Sequence, residues 1–234
     1  MDIVIGSLLE GARQAAGAVA IIDVFRAFTC AAVALANGAA KIVMVSTIEE
    51  AFALRDGGIG QVCVGEVGGR PPDGFDFGNS PFEVSRVAFA GQTIIQRTSA
   101  GTQGITAAAG ADRLFAASLV TARATARALE AAGSARITLV AMGDSGIERT
   151  DEDELCALHL RNLLQGRRGD PDAVRRLILA GGEIARFNDP ARPYLYPEDV
   201  EIALDVDRYD FAIRVRTEEG RLVARSTAHA GRAA

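Results

Sequence analysis

The sequence predicts an α/β protein, layered α/β/α around a mainly parallel or mixed sheet. Short β-branched apolar runs, such as residues 18–22, 41–45 and 136–142, read as strands buried on both faces. Stretches of ten or so residues with helical signals separate many of these runs, the spacing of a sheet with crossover helices. Polar segments fall just after the runs, at Asp23, Glu66, Thr98 and Gly143. Open α/β sheets bind ligands there, outside the carboxyl ends of their strands. With 234 residues the chain can bury a sizeable core. We read 1–234 as one domain, with two intertwined α/β subdomains as the alternative.

In chain order, residues 2–5 form a first short strand, followed by a polar, Ala/Gly-rich link. Residues 18–23 are apolar and end on an acid; 25–37 read as a helix closed by Gly38. After a strand at 41–45, Thr47 with Glu50 makes a capping box for a helix that Gly57 and Gly58 stop. A strand at 61–64 runs into the loop GEVGGRPPDGFDFGNSPF, residues 65–82. Glycine and proline keep that stretch out of regular structure. Phe75, Phe77 and Phe82 give it something to bury, so it reads as an ordered active-site loop rather than a solvated linker.

Ser80-Pro81-x-Glu83 is a second capping box, starting a helix at 82–89. A strand at 93–96, a loop at 97–104 and a short alanine-rich helix follow. Strands at 113–117 and 136–142 flank a helix near 121–131. Beyond Gly143-Asp-Ser-Gly146, residues 151–164 form an amphipathic helix with acids in its first turn. Helices at 172–179 and 197–206 and a closing hairpin, 211–215 with 222–224, complete the chain.

Composition narrows the chemistry. The net charge of −5 argues against a nucleic-acid binder, which needs a basic face. No apolar run reaches spanning length and no early segment joins a basic stretch to a long apolar core, so a cytoplasmic protein without membrane contact is expected. Cys30, Cys63 and Cys156 show no metal spacing and read as buried thiols. With only His159 and His229, a zinc site or a Ser-His-Asp triad is poorly supported. Carboxylates, hydroxyls, arginines and backbone amides must carry the chemistry.

Asp23, at a strand-to-helix turn, suits a nucleophile or a magnesium ligand, and Arg26 can fork onto phosphate. They serve equally well as a helix cap and its ion pair. Thr98-Ser-Ala-Gly-Thr102 offers hydroxyls and amides to an anion. Asp151-Glu-Asp-Glu154 offers hard oxygens for Mg²⁺, or simply acids at the positive end of a helix. Asp76 and Asn79 are also common turn residues.

Together these pieces resemble the 2-phosphosulfolactate phosphatase family, the ComB enzymes of coenzyme M biosynthesis. The matching stretches are AIIDVFRAFTCAAVALANGA (20–39), GE with GFDFGNSPFE (65–83), TSAGT (98–102) and DEDELCA (151–157), in that order. The resemblance implies a ComB-like fold and a Mg²⁺-dependent hydrolase of a small anionic phosphate ester, 2-phosphosulfolactate giving 3-sulfolactate and phosphate. Carried over, it points to Asp23, Arg26, Glu66 and Asp151 as catalytic, with Asp23, Glu66, Asp151 and Glu152 around the metal. Asp76, Asn79, Ser80, Thr98, Gly101 and Thr102 are expected to hold substrate, Ser80 gripping its second anionic group. Val67 and Ala100 stand where the family usually has arginine and asparagine, and residues 184–196 match nothing in the pattern. The alternatives are another small phosphorylated acid as substrate, or a non-catalytic anion binder on the same scaffold. A homo-oligomer is left open.

Overall fold

The apolar runs form strands because both of their faces are buried. In the computed structural model, which describes residues 1–227, they are β1 (Asp2–Ser7), β2 (Ala18–Ile22), β3 (Lys41–Val45), β4 (Val62–Gly65), β5 (Thr93–Arg97), β6 (Arg113–Ala117) and β7 (Arg136–Ala141). With β8 (Ile213–Glu218) and β9 (Arg221–Ser226) they make one nine-stranded sheet, ordered β1-β7-β2-β6-β8-β9-β3-β5-β4. The helices are α1 (Leu8–Arg13), α2 (Ala27–Ala36), α3 (Ile48–Asp56), α4 (Pro81–Ser85), α5 (Gly101–Ala107), α6 (Ala122–Ala131), α7 (Asp151–Leu164), α8 (Pro171–Ala180) and α9 (Pro197–Ala203). Two 3₁₀ turns, Leu119–Thr121 and Glu183–Asn188, complete the inventory. The link after β1 is helical rather than open, and the helix after Ser80 stops at Ser85.

The sheet is mixed. Its two wings, β1-β7-β2-β6 and β3-β5-β4, are each parallel. The β8–β9 hairpin sits between them and pairs antiparallel with both β6 and β3. Hence the expected closing hairpin is the centre of the sheet, and the two wings run in opposite directions. Their carboxyl ends still meet, because the sheet twists and curls around α2. Gln96, on β5, donates its Nε2–H to the Ala27 carbonyl at the start of α2 at 3.0 Å.

That curl explains why Ala27 through Leu35 are all buried; a helix apolar all round has no water to face. Alternate residues of each strand divide the core. Val19, Ile21, Ile42, Met44 and Ile94 face α2. Ala20, Ile22 and Leu139 face α6 and α7, while Val43, Val45 and Ile95 face α3. The three cysteines are buried and unpaired. No helix among the described residues is long and apolar enough to cross a membrane.

Candidate active site

At the end of β2 the chain turns through Asp23, whose carboxylate is buried. The Ala27 N–H, in the first turn of α2, donates to Asp23 Oδ1 at 2.8 Å. From the other wing, α5 brings Gly101 against the same carboxylate. A Cβ there would stand 2.9 Å from Asp23 Oδ2 and 2.8 Å from Ala27 Cβ, so only glycine allows this approach. Burial, with Glu66 adding its charge, raises the Asp23 pKa from 3.8 to about 6, against the opposing bonds from Ala27 and Gly101.

Asp23 opens onto a cleft of about 90 Å³ shared with Glu66, Asn79, Glu152 and Arg186, walled by Phe25 and Phe187. Glu66 leaves the end of β4, where Gly65 has φ +154° and a Cβ would lie 1.9 Å from the Arg97 carbonyl oxygen. Its carboxylate accepts from the Ser99 N–H, from Ser99 Oγ at 3.0 Å and from the Gly69 N–H at 2.7 Å. Glu66 thus ties the Gly-rich loop to the segment before α5. Loop aromatics anchor the same stretch: Phe75 packs edge-on against Phe52, and Phe77 against Phe89.

Glu152 and Asp153, in the first turn of α7, are both buried. Asp153 accepts from the Val24 N–H at 2.7 Å and the Gly143 N–H at 2.9 Å, fixing the turn that carries Asp23. Burial raises its pKa well above the usual value, with the charges of Glu152 and Asp23 adding. Burial likewise lifts Glu152 from 4.5 to about 7, although Arg186 opposes it. Glu152 Oε2 and Asn79 Oδ1 are buried without hydrogen-bond partners. Buried orphans of this kind mark a place where a ligand, ion or water completes the site.

Across the cleft lies the Glu183–Asn188 turn. Arg186 approaches Glu183 at 3.1 Å, Asp144 at 3.5 Å and Glu152 at 3.9 Å, and its Nε is buried without a partner.

Comparison with known proteins gives the family. Residues 5–184 match the family described as 2-phosphosulpholactate phosphatase. The chain belongs to the 2-phosphosulfolactate phosphatase family. A relative from Bacillus subtilis, named probable 2-phosphosulfolactate phosphatase, is 33% identical over 204 residues, 85% of this chain and 86% of its own. One of the same name from Carboxydothermus hydrogenoformans is 33% identical over 222 residues, 90% and 91% of the two chains.

Within this 2-phosphosulfolactate phosphatase family member, the sequence-predicted residues divide. Asp23, Arg26, Glu66, Asn79 and Glu152 line the cleft, and Gly101 abuts Asp23. Asp151 does not line it: the first residue of α7 is exposed and lies against Gly181, one helical step of about 100° from the inward Glu152. Asp76 instead accepts the Cys63 N–H at 2.8 Å and stands 4.0 Å from Arg55. Ser80 caps α4, accepting from the Glu83 N–H at 3.1 Å and donating to Asp199 at 2.6 Å, so its hydroxyl is used up in the protein. Thr98 and Thr102 exchange backbone-to-hydroxyl bonds, each 2.9 Å, and Thr102 Oγ1 donates to the Thr98 carbonyl at 3.0 Å, which holds the loop shape; neither residue lines the cleft. Arg26 lines the cleft with its donors on Asp199, Tyr194 O and Gly69 O. Arg186, Arg192 and Tyr194 were not foreseen, because their segment carries no periodic or motif signal.

The raised Asp23 pKa has a sign. The native state holds that proton more tightly than the unfolded chain, so its stabilising effect is whole below pH 3.8 and lost as pH rises through about 6. At about 1.36 kcal/mol per unit the loss is on the order of 2–3 kcal/mol. In chelator, Asp23→Asn is therefore expected to melt above wild type at pH 8, with the gap closing below pH 4. Equal melting temperatures at both pH values, by calorimetry, would remove the buried-acid cost.

Proposed function

We propose that the protein is a Mg²⁺-dependent phosphatase acting on the phosphate ester of a small anionic hydroxy acid, with 2-phosphosulfolactate as the substrate that its relatives' names suggest. The observation that carries this reading is the buried Asp23 carboxylate, locked by Ala27 and crowded by Gly101, at the floor of a small cleft that also holds Glu66, Glu152 and Arg186.

No group of three or more His, Cys, Asp or Glu among the described residues makes a ready-built metal cage. Mg²⁺ seldom uses one, since it is commonly held by one or two carboxylates and completes its shell with water and substrate phosphate. The orphaned Glu152 Oε2 and Asn79 Oδ1 supply hard oxygens beside Asp23, and the donor set fits. Asp23, with Glu66 or Glu152, would hold the ion, which when bound supplies charge neutralisation at the phosphoryl oxygens.

The chain's own residues do the rest. Asp23 presents a carboxylate fixed in direction by the Ala27 amide. Arg186 brings positive charge to the same end of the cleft and offers an unused Nε–H to a phosphoryl oxygen. Glu66 holds Ser99 and Gly69 at the wall, so that side cannot collapse when substrate leaves. Phe25 and Phe187, packed edge-on with centroids 5.2 Å apart, shield the site from water. Ala100 lines the cleft where the family usually has asparagine, whereas Val67 is exposed.

Phosphate release from a panel of phosphorylated hydroxy acids, with Mg²⁺ and then EDTA, is the test. We expect turnover of 2-phosphosulfolactate that chelation abolishes. Turnover of other acid esters alone would move the substrate and keep the chemistry. Release from no ester by folded protein would leave a non-catalytic anion binder.

A further inference from the structure

Three arginines line the cleft, and their surroundings differ. Arg26 is 5% exposed and pairs at 3.2 Å with the fully buried Asp199. Turning it to a ligand would leave a carboxylate buried and alone, which is strongly unfavourable. Arg186 faces three carboxylates, one of them the buried Glu152, and leaving them has the same consequence. Arg192 is 49% exposed and meets Asp189, itself 40% exposed, at 3.5 Å. Such a surface pair is worth little, and water takes over Asp189 when it opens.

The backbone beneath Arg192 is nevertheless held. Its N–H donates to the Asp189 carbonyl at 2.9 Å, and the Arg192 carbonyl accepts from the Leu195 N–H at 2.9 Å. Two residues on, Arg26 Nη1 donates to the Tyr194 carbonyl at 2.9 Å. A fixed base under a head free to swing suits an arginine that meets a ligand at the rim. Ser80, the residue expected to grip a second anion, is spent on Asp199. The strap 189–195 also lies beyond the matched residues 5–184, so the family pattern does not dictate it.

We propose that Arg192 binds the second anionic group of the substrate, a sulfonate or carboxylate close to the phosphate ester, and thereby selects acid esters over plain ones. The proposal rests on the phosphatase reading above. Arg186 and Asp23 take the phosphoryl end, and the small cleft keeps both groups of one molecule within reach. A planar guanidinium suits both oxyanions, since it offers two parallel donors to adjacent oxygens.

The experiment compares wild type with Arg192→Ala on 2-phosphosulfolactate and on glycerol 2-phosphate, an ester without a second anion. We expect KM for the acid ester to rise 10- to 100-fold with kcat changed less than threefold, and kcat/KM for it to fall at least tenfold more than for glycerol 2-phosphate. Equal losses on the two esters would overturn the assignment. If wild type hydrolyses neither ester, the phosphatase reading fails, and calorimetric titration with 3-sulfolactate then decides the subsite by itself. Weaker binding by Arg192→Ala supports it; equal binding, or none by wild type, overturns it.

Discussion

Asp23→Asn is expected to lower phosphate release on the order of 10³-fold or more, the scale at which enzymes lose a charged group at the reacting centre. The amide is the same size as the acid, so the approach of Gly101 is undisturbed and the oxygen facing Ala27 still accepts its N–H. What disappears is the negative charge that would attack phosphorus or hold a cation. The reading needs kcat/KM measured beside a thermal melt. A folded variant with wild-type turnover would take Asp23 out of the reaction and leave it as a helix cap.

The second large effect concerns stability and an acid outside every sequence motif. Asp199, in α9, is fully buried. Its Oδ1 accepts from Ser80 Oγ at 2.6 Å and the Phe82 N–H at 3.0 Å, and its Oδ2 from Arg26 at 3.2 Å. One carboxylate therefore fastens the α4 start and the α2 start to α9, and Arg26 extends the link to the strap through the Tyr194 carbonyl. Asp199→Ala leaves a buried guanidinium without its counter-charge, a loss of about 3–5 kcal/mol. For a chain of this length that is roughly 10–15 °C in melting temperature. Asp199→Asn, which keeps the shape and an oxygen to accept from Ser80 and the Phe82 N–H, should lose less. A melting temperature of the alanine variant within 2 °C of wild type would show the pair to be dispensable.

Much of the fold was legible because strands buried on both faces are apolar at every position, and β2, AVAII, advertises itself. Helix α7 was equally plain, with acids at its start and apolar residues recurring along it. Helix α1 was hidden by Gly11, which reads as loop punctuation. It is glycine for packing, since its added Cβ would lie 3.0 Å from the backbone of Gly6. The hairpin's central place was invisible, because pairing partners so distant in sequence leave no local mark.

The site was half legible for a related reason. Asp23, Glu66 and Gly101 follow strand ends, where topology alone points to function. Choosing between Asp151 and Glu152 required the rotation of α7, which only packing fixes. The hydroxyls of Ser80, Thr98 and Thr102 looked available in a string of letters; in three dimensions Ser80 is bound to Asp199 and the Glu83 N–H, and the two threonines bond each other's backbone. Arg186 and Arg192 sit on a turn and an irregular strap, where no period distinguishes a cleft residue from a solvated one.

The hairpin at the centre of the sheet also governs how the protein must be made. A ribosome delivers β3 and β6 long before residues 213–226, which pair with both. For about a hundred residues after β6 emerges, roughly 5–20 s of synthesis, each wing carries an open inner edge. Unpaired edges of that kind template association between nascent chains. The hairpin closes both edges at once, so the continuous sheet that joins the two halves of the cleft is completed in one late event.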